Sequence, residues 1–230
     1  MQRIKIRLIF MGCGYDTRSI KLMEWLLMQN VSEVPHHNLL QKKQRTPRRL
    51  WRMLRRKKVQ SPLRNAFDNI TSEVDLECFE LDLPAVVYAK EQLLKSRLFR
   101  RRPWLNELID YPKLVPVDFN NLSATEHALE RILSGDNTDA GNVNNIVLFE
   151  GVMIYLDEGV PHSLLELCSN SLRKYSSSDG SSGYMCFADR LENIPGGDED
   201  AAHIEMESTG WELMDWLSKP GLARHMVCPE

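Results

Sequence analysis

An apolar run from Ile4 to Met11 ends in Gly12-Cys13-Gly14, and Asp16 and Thr17 follow. No other feature limits the fold of this chain so strongly. A continuous apolar and β-branched run is what a parallel strand covered on both faces requires. Two glycines around one residue permit a tight turn and the close approach of a ligand to backbone. Asp16 and Thr17 suit the cap of a helix. Strand, glycine turn and helix together form the first half of a nucleotide-binding unit. Such turns also close ordinary βα units, so the meaning of this one depends on what recurs downstream.

What recurs is a strand ending in an acid. Ser19 to Gln29 reads first as a helix, with Ile20, Met23, Leu26 and Leu27 on one face. Cys78 to Leu81 reads as a second strand ending at Asp82, and Pro84 opens a helix over 85–98. Lys113 to Asn120 reads as a third strand carrying Asp118, with Ser123 and Glu126 as a capping box for a helix to Leu133. Asn145 to Gly151 reads as a fourth strand ending at Glu150, before a helix over 157–173. Tyr184 to Asp189 is a fifth strand, Trp211 to Leu217 a late one, and Pro220 to Met226 a closing segment. Strands alternating with helices predict an α/β fold with a doubly wound, mostly parallel sheet.

With 230 residues, 43% of them hydrophobic, the chain suits one domain over 1–230. Two segments interrupt it. The basic insertion at about 36–65 holds eleven Lys and Arg, among them Arg48, Arg49, Arg52, Arg55 and Lys57, and no acid. The polar loop at about 191–207 reads as irregular. Charge divides unevenly: residues 1–103 carry 22 Lys/Arg against 10 Asp/Glu, and residues 104–230 carry 7 against 22. The basic part suits a phosphate backbone, an acidic partner or plain solvation. No run of 18 apolar residues predicts a membrane span. Five scattered cysteines without a CxxC pair read as buried thiols of a reducing, cytoplasmic setting. No metal-ligand pattern stands out.

In a parallel sheet the ends after strands one to four lie along one edge. A ligand there meets Gly12 and Gly14 together with Asp82, Asp118 and Glu150. A diphosphate is poorly served by three carboxylates, whereas a nucleoside with a cationic centre is well served. Asp82 or Glu80 can accept ribose hydroxyls, Asp118 an adenine amine, and Glu150 an amino group or sulfonium. That pattern fits S-adenosylmethionine better than a dinucleotide, and Thr17 stands where the third glycine of GxGxxG belongs. Each acid alone also serves as a helix cap or an ion-pair partner.

Gly12-Cys13-Gly14-Tyr15-Asp16-Thr17-Arg18, Phe79-Glu80-Leu81-Asp82-Leu83-Pro84, Val117-Asp118-Phe119 and Leu148 to Leu156 resemble the leucine carboxyl methyltransferase family. Its pattern is GAGYDTR, FELDLP, PVDF and EGVLMYL. The resemblance covers roughly residues 4–172 and implies a Rossmann-like class I methyltransferase using S-adenosylmethionine. It places Gly12 under the methionine part of the cofactor, Asp82 on ribose, Asp118 and Phe119 on adenine, and Glu150 at the methionine end. Catalytic residues stay unassigned, with Tyr155 and Arg18 as substrate-channel candidates. The methyl acceptor implied is a carboxylate, either a protein C-terminus or a small molecule. The family carries a helical lid before its first strand, and this chain is expected to lack it. Arg18 or Arg224 are candidates to take over its role. The competing readings are a catalytically impaired domain that binds RNA or protein through the basic insertion, and a weaker one, an NAD enzyme.

Overall fold

The computed structural model describes residues 4–14, 19–20, 22, 74–95, 112–134, 143–175, 183–189, 198–216 and 225–229. These contain seven strands of one sheet: β1 (Ile4–Met11), β2 (Val74–Asp82), β3 (Lys113–Pro116), β4 (Val143–Glu150), β5 (Gly183–Ala188), β6 (Trp211–Asp215) and β7 (His225–Pro229). Their order is β3-β2-β1-β4-β5-β7-β6. The first five run parallel, and β7 lies antiparallel to both β5 and β6. Four helices accompany them: α1 (Pro84–Lys95), α2 (Leu122–Leu133), α3 (Val160–Tyr175) and α4 (Glu199–Ser208). This is the doubly wound, mostly parallel α/β sheet that the alternation predicts. No helix among the described residues is long and apolar enough to cross a membrane.

Alternation along the strands sends neighbouring side chains to opposite faces. Ile9, Met11, Phe79, Leu81, Val147, Phe149, Met185 and Phe187 share one buried cluster with Leu129, Ile132 and Leu133 of α2 and Leu164, Leu165, Cys168 and Leu172 of α3. Met206 of α4 and Trp211 close it, and the Trp211 indole N–H donates to the Leu165 carbonyl at 2.9 Å. The opposite face has a smaller cluster, in which Leu8 and Cys78 are buried and Ile6, Phe10, Leu22, Leu76, Ile146 and Leu148 pack around them. Burial pushes the Cys78 and Cys168 thiols up to about 12, in keeping with buried, unreactive cysteines.

Several boundaries differ from those expected. Strand β2 begins at Val74 rather than Cys78, because Glu77 finds Lys5, Arg7 and Lys113 beside it and its charge therefore does not end the strand. Helix α2 is capped by Asn121, whose side chain accepts from the Ala124 N–H at 3.0 Å, and not by Ser123. The second half of the expected polar loop is helix α4. Asp198 caps it by accepting from Asp200 and Ala201, Glu199 and Asp200 occupy its first turn, and Ala202 and Met206, four residues apart, are fully buried. At the end of the expected closing segment β7 begins, at His225, and runs on to Pro229 between β5 and β6. The basic insertion at 36–65 and the first part of the polar loop lie outside the described residues, as do Tyr15 to Arg18 and Arg224.

Candidate functional site

Strand order reverses beside β1. The chain steps outward from β1 to β2 and β3, then crosses back to place β4 on the other side. In open parallel sheets a ligand crevice opens at such a point, outside the C-terminal ends of the strands. The expected residues are all supplied by these ends: Gly12 and Gly14 after β1, Asp82 closing β2, Asp118 and Phe119 after β3, and Glu150 closing β4.

The glycine turn is held from β2. The Gly12 N–H donates to the Leu81 carbonyl and the Gly14 N–H to Asp82 Oδ2, at 2.8 and 2.7 Å. Asp82 Oδ1 accepts from the Leu83 N–H at 2.7 Å. Asp82 therefore shapes the turn as well as offering its remaining lone pairs. Gly12 has φ 75°, and a Cβ placed there would lie 2.1 Å from Val152 Cγ2, so glycine is required twice over.

Glu80, read as an alternative to Asp82 at the ribose, is 1% exposed. One oxygen accepts from the Ser19 hydroxyl and the other lies 2.6 Å from the Lys90 ammonium. It lines the inner wall of the cavity described below, with both oxygens engaged by these partners. Cys13, inside the turn, has its thiol pushed up to about 12 by burial, with Glu80 and Asp82 adding to the rise and Lys90 opposing it. It is therefore a protonated wall and not a nucleophile.

Asp118 is exposed, and its Oδ1 accepts from the Asn120 N–H at 3.0 Å. Phe119 is 5% exposed and belongs to the larger core cluster. The Asn120 side chain in turn accepts from the Asp157 N–H at 3.0 Å, which ties the loop after β3 to the loop after β4. Glu150 is exposed at the end of β4. Beyond it come Gly151, with φ 63°, and the short 3-10 turn Met153–Tyr155. Tyr155 is 77% exposed at this rim. A cavity of about 400 Å³ opens between Gly12, Cys13 and Glu150 and continues along the smaller-core face past Phe10, Leu22 and Leu148. His203 is exposed on α4, and the His225 side chain lies outside the described residues. Arg18 lies outside them too.

Sequence reasoning passed over one member of this edge. Asp189 directly follows β5, and its Oδ2 accepts from the backbone N–H groups of Val152 and Met153, the second at 2.8 Å. The rule that picked out the other strand-end acids applies equally to Asp189. The ends of β1 to β5 thus combine a glycine turn with the carboxylates of Asp82, Asp118, Glu150 and Asp189.

Among solved structures, "A Pericyclic Reaction enzyme" aligns with 98% of this chain at 9% identity and a TM-score of 0.45, and the chain spans only 43% of its length. Magnesium protoporphyrin IX methyltransferase from Synechocystis PCC 6803, solved with bound SAM, aligns with 97% at 10% identity and a TM-score of 0.42, and 69% of that chain is covered. Aeropyrum pernix fibrillarin, solved with S-adenosyl-L-methionine, aligns with 96% at 10% identity and a TM-score of 0.39, and 64% of that chain is covered. No curated protein matches. The leucine carboxyl methyltransferase family model matches residues 65–169, which run from before β2 into α3 and contain Asp82, Asp118 and Glu150.

Proposed function

We propose that this chain is an S-adenosylmethionine-dependent methyltransferase that O-methylates a carboxylate. The observation that supports the reading is that Asp82, Asp118 and Glu150 stand at or just after the ends of β2, β3 and β4, along the edge where the strand order reverses beside the glycine turn, within residues matching the family. The chemistry of this donor set fits the cofactor. Asp82 would hold the ribose hydroxyls, Asp118 with Phe119 the adenine, and Glu150 the amino group or sulfonium, over the backbone of Gly12 and Gly14. A diphosphate would face carboxylates instead, at a cost that grows as water is excluded.

When bound, the cofactor supplies an electrophilic methyl group on a sulfonium centre. The chain's own task is then alignment. A carboxylate acceptor is ionised at neutral pH and needs no general base. That suits an edge where Cys13 is kept protonated by burial. Tyr155 and the exposed Ile154 would line the acceptor channel and help exclude water from the transfer. The acceptor would be a protein C-terminus or a small acid, and the setting cytoplasmic.

Calorimetric titration with S-adenosylhomocysteine tests the cofactor. Wild type should bind in the micromolar range and Glu150→Gln about tenfold or more weakly. Glu150 is a cleaner probe than Asp82, whose replacement also releases the Gly14 turn. A folded wild type that binds neither this ligand nor S-adenosylmethionine overturns the reading. The acceptor class is tested with labelled methyl donor and paired peptides ending in a free carboxylate or an amide. Transfer to the amide form, or to RNA instead, would exclude carboxylate O-methylation.

A further inference from the structure

Asp189 holds the loop after β4, on the side of β1 opposite to β2 and Asp82. Its Oδ2 accepts from the Val152 and Met153 N–H groups, the first amides of the 3-10 turn Met153–Tyr155. Amides that open a helical turn have no partner within it. Val152 provides no side-chain cap of its own, so the capping carboxylate comes from the neighbouring strand. Charge-assisted bonds of this kind are stronger than neutral ones. A third link joins the same two strand ends, the Gly151 N–H donating to the Ala188 carbonyl at 3.3 Å.

What this fixes in place is the Val152 side chain. Val152 is 7% exposed, and its Cγ2 occupies the space that a side chain on Gly12 would need. Gly12 is thus pressed between Val152 on the β4 side and its hydrogen bond to Leu81 on the β2 side. The contacts run from Asp189 through the Val152 backbone and side chain to the turn.

We propose that Asp189 is a positioning residue for the cofactor site. It clamps the start of the loop after β4, and through Val152 it sets the conformation of the Gly12 turn that receives the methionine part of the cofactor. It acts through Val152 and need not touch ligand. The proposal rests on the cofactor reading given above, and its test has one readout that does not depend on that reading.

Asp189→Ala and Asp189→Asn are compared with wild type in hydrogen exchange of backbone amides and in titration with S-adenosylhomocysteine. The asparagine oxygen can accept from both amides, so Asp189→Asn should retain the clamp. In Asp189→Ala, exchange protection should fall about tenfold at Gly12 as well as at Val152 and Met153, and affinity should fall about tenfold. Asp189→Asn should remain within about threefold of wild type in both. Loss of protection confined to Val152 and Met153 would overturn the link to Gly12. Lost protection at Gly12 with unchanged affinity would overturn the positioning role. Asp189→Asn as weak as Asp189→Ala would show that the charge itself matters and not the clamp. If wild type binds no ligand, the cofactor reading fails, and exchange at Gly12 still decides whether Asp189 sets the turn.

Discussion

Glu77 and Glu80 lie three residues apart on β2, and so on opposite faces of the sheet, and they meet positive charge in opposite ways. Glu77 gathers Lys5 and Arg7, each at 3.3 Å, and Lys113 at 3.4 Å, with a quarter of its side chain open to water. Among the described residues Glu80 has one cation, Lys90 at 2.6 Å, and both side chains are at most 3% exposed. That close contact is not aligned as a hydrogen bond for either Glu80 Oε2 or Lys90 Nζ. The first arrangement is a shared network near solvent, in which one member can leave and the rest adjust. The second is a closed pair, where each charge depends on the other because water cannot replace it. The closed pair sits under the glycine turn, with Ser19 donating to Glu80 from the helical stretch beyond it. The sheet thus places a solvated network on the face of the larger core and a buried pair on the face that leads into the crevice.

The largest effect should come from breaking the closed pair. Lys90→Met leaves Glu80 buried without its countercharge and should cost about 3–5 kcal/mol. Adding Glu80→Gln removes the stranded charge while leaving an oxygen to accept from Ser19. The double variant should regain most of that loss in urea denaturation. A double variant no more stable than Lys90→Met would contradict the picture of mutual dependence.

These two glutamates also mark how far the sequence could be read. Strands β1 and β4 declared themselves as buried parallel strands because Leu8 to Met11 and Ile146 to Phe149 are apolar at every position. Strand β2 did not, since Asp75 and Glu77 are explained only by Lys5 and Arg7 on β1 and Lys113 on β3, which local pattern cannot place beside them. Helix α4 was hidden for a related reason. It buries little more than Ala202, Glu205 and Met206, so its apolar signal is faint, although Asp198 and the acids after it mark its start. The strand-end acids of the site were legible because a parallel sheet aligns all such ends automatically. Their division of labour was not legible. Whether an acid is exposed like Glu150, bonded to backbone like Asp82 and Asp189, or buried like Glu80 depends on neighbours distant in sequence.

A smaller effect is expected on the solvated side. Arg7 is 3% exposed and donates to Glu77, to the Leu133 carbonyl at the end of α2 and to Asn145 Oδ1, at 3.3, 3.4 and 3.3 Å. Arg7→Met strands two neutral acceptors but leaves Glu77 with Lys5 and Lys113. Its cost should be about 1–3 kcal/mol, below that of Lys90→Met measured in the same way. A loss equal to or greater than that of Lys90→Met would erase the distinction between a shared network and a closed pair.

The smallest effect is one of pH. Burial pushes the Glu77 carboxyl up, but Lys5, Arg7 and Lys113 more than reverse this and hold it below its ordinary value of 4.5. A carboxyl depressed in the folded state takes its proton first in the unfolded chain as the solution is acidified. Its contribution to stability is therefore complete above 4.5 and is lost as the pH falls through the lower, folded value. Glu77→Gln cannot titrate at this position. The stability difference between wild type and Glu77→Gln should be constant near neutrality and shrink as the pH drops below about 4.5, as followed by urea denaturation at a series of pH values. A difference that stays constant into the acid range would mean that the three cations do not act on Glu77 as a group. The shared network would then be no more than neighbouring contacts, and its tolerance of the Arg7 substitution would need another cause.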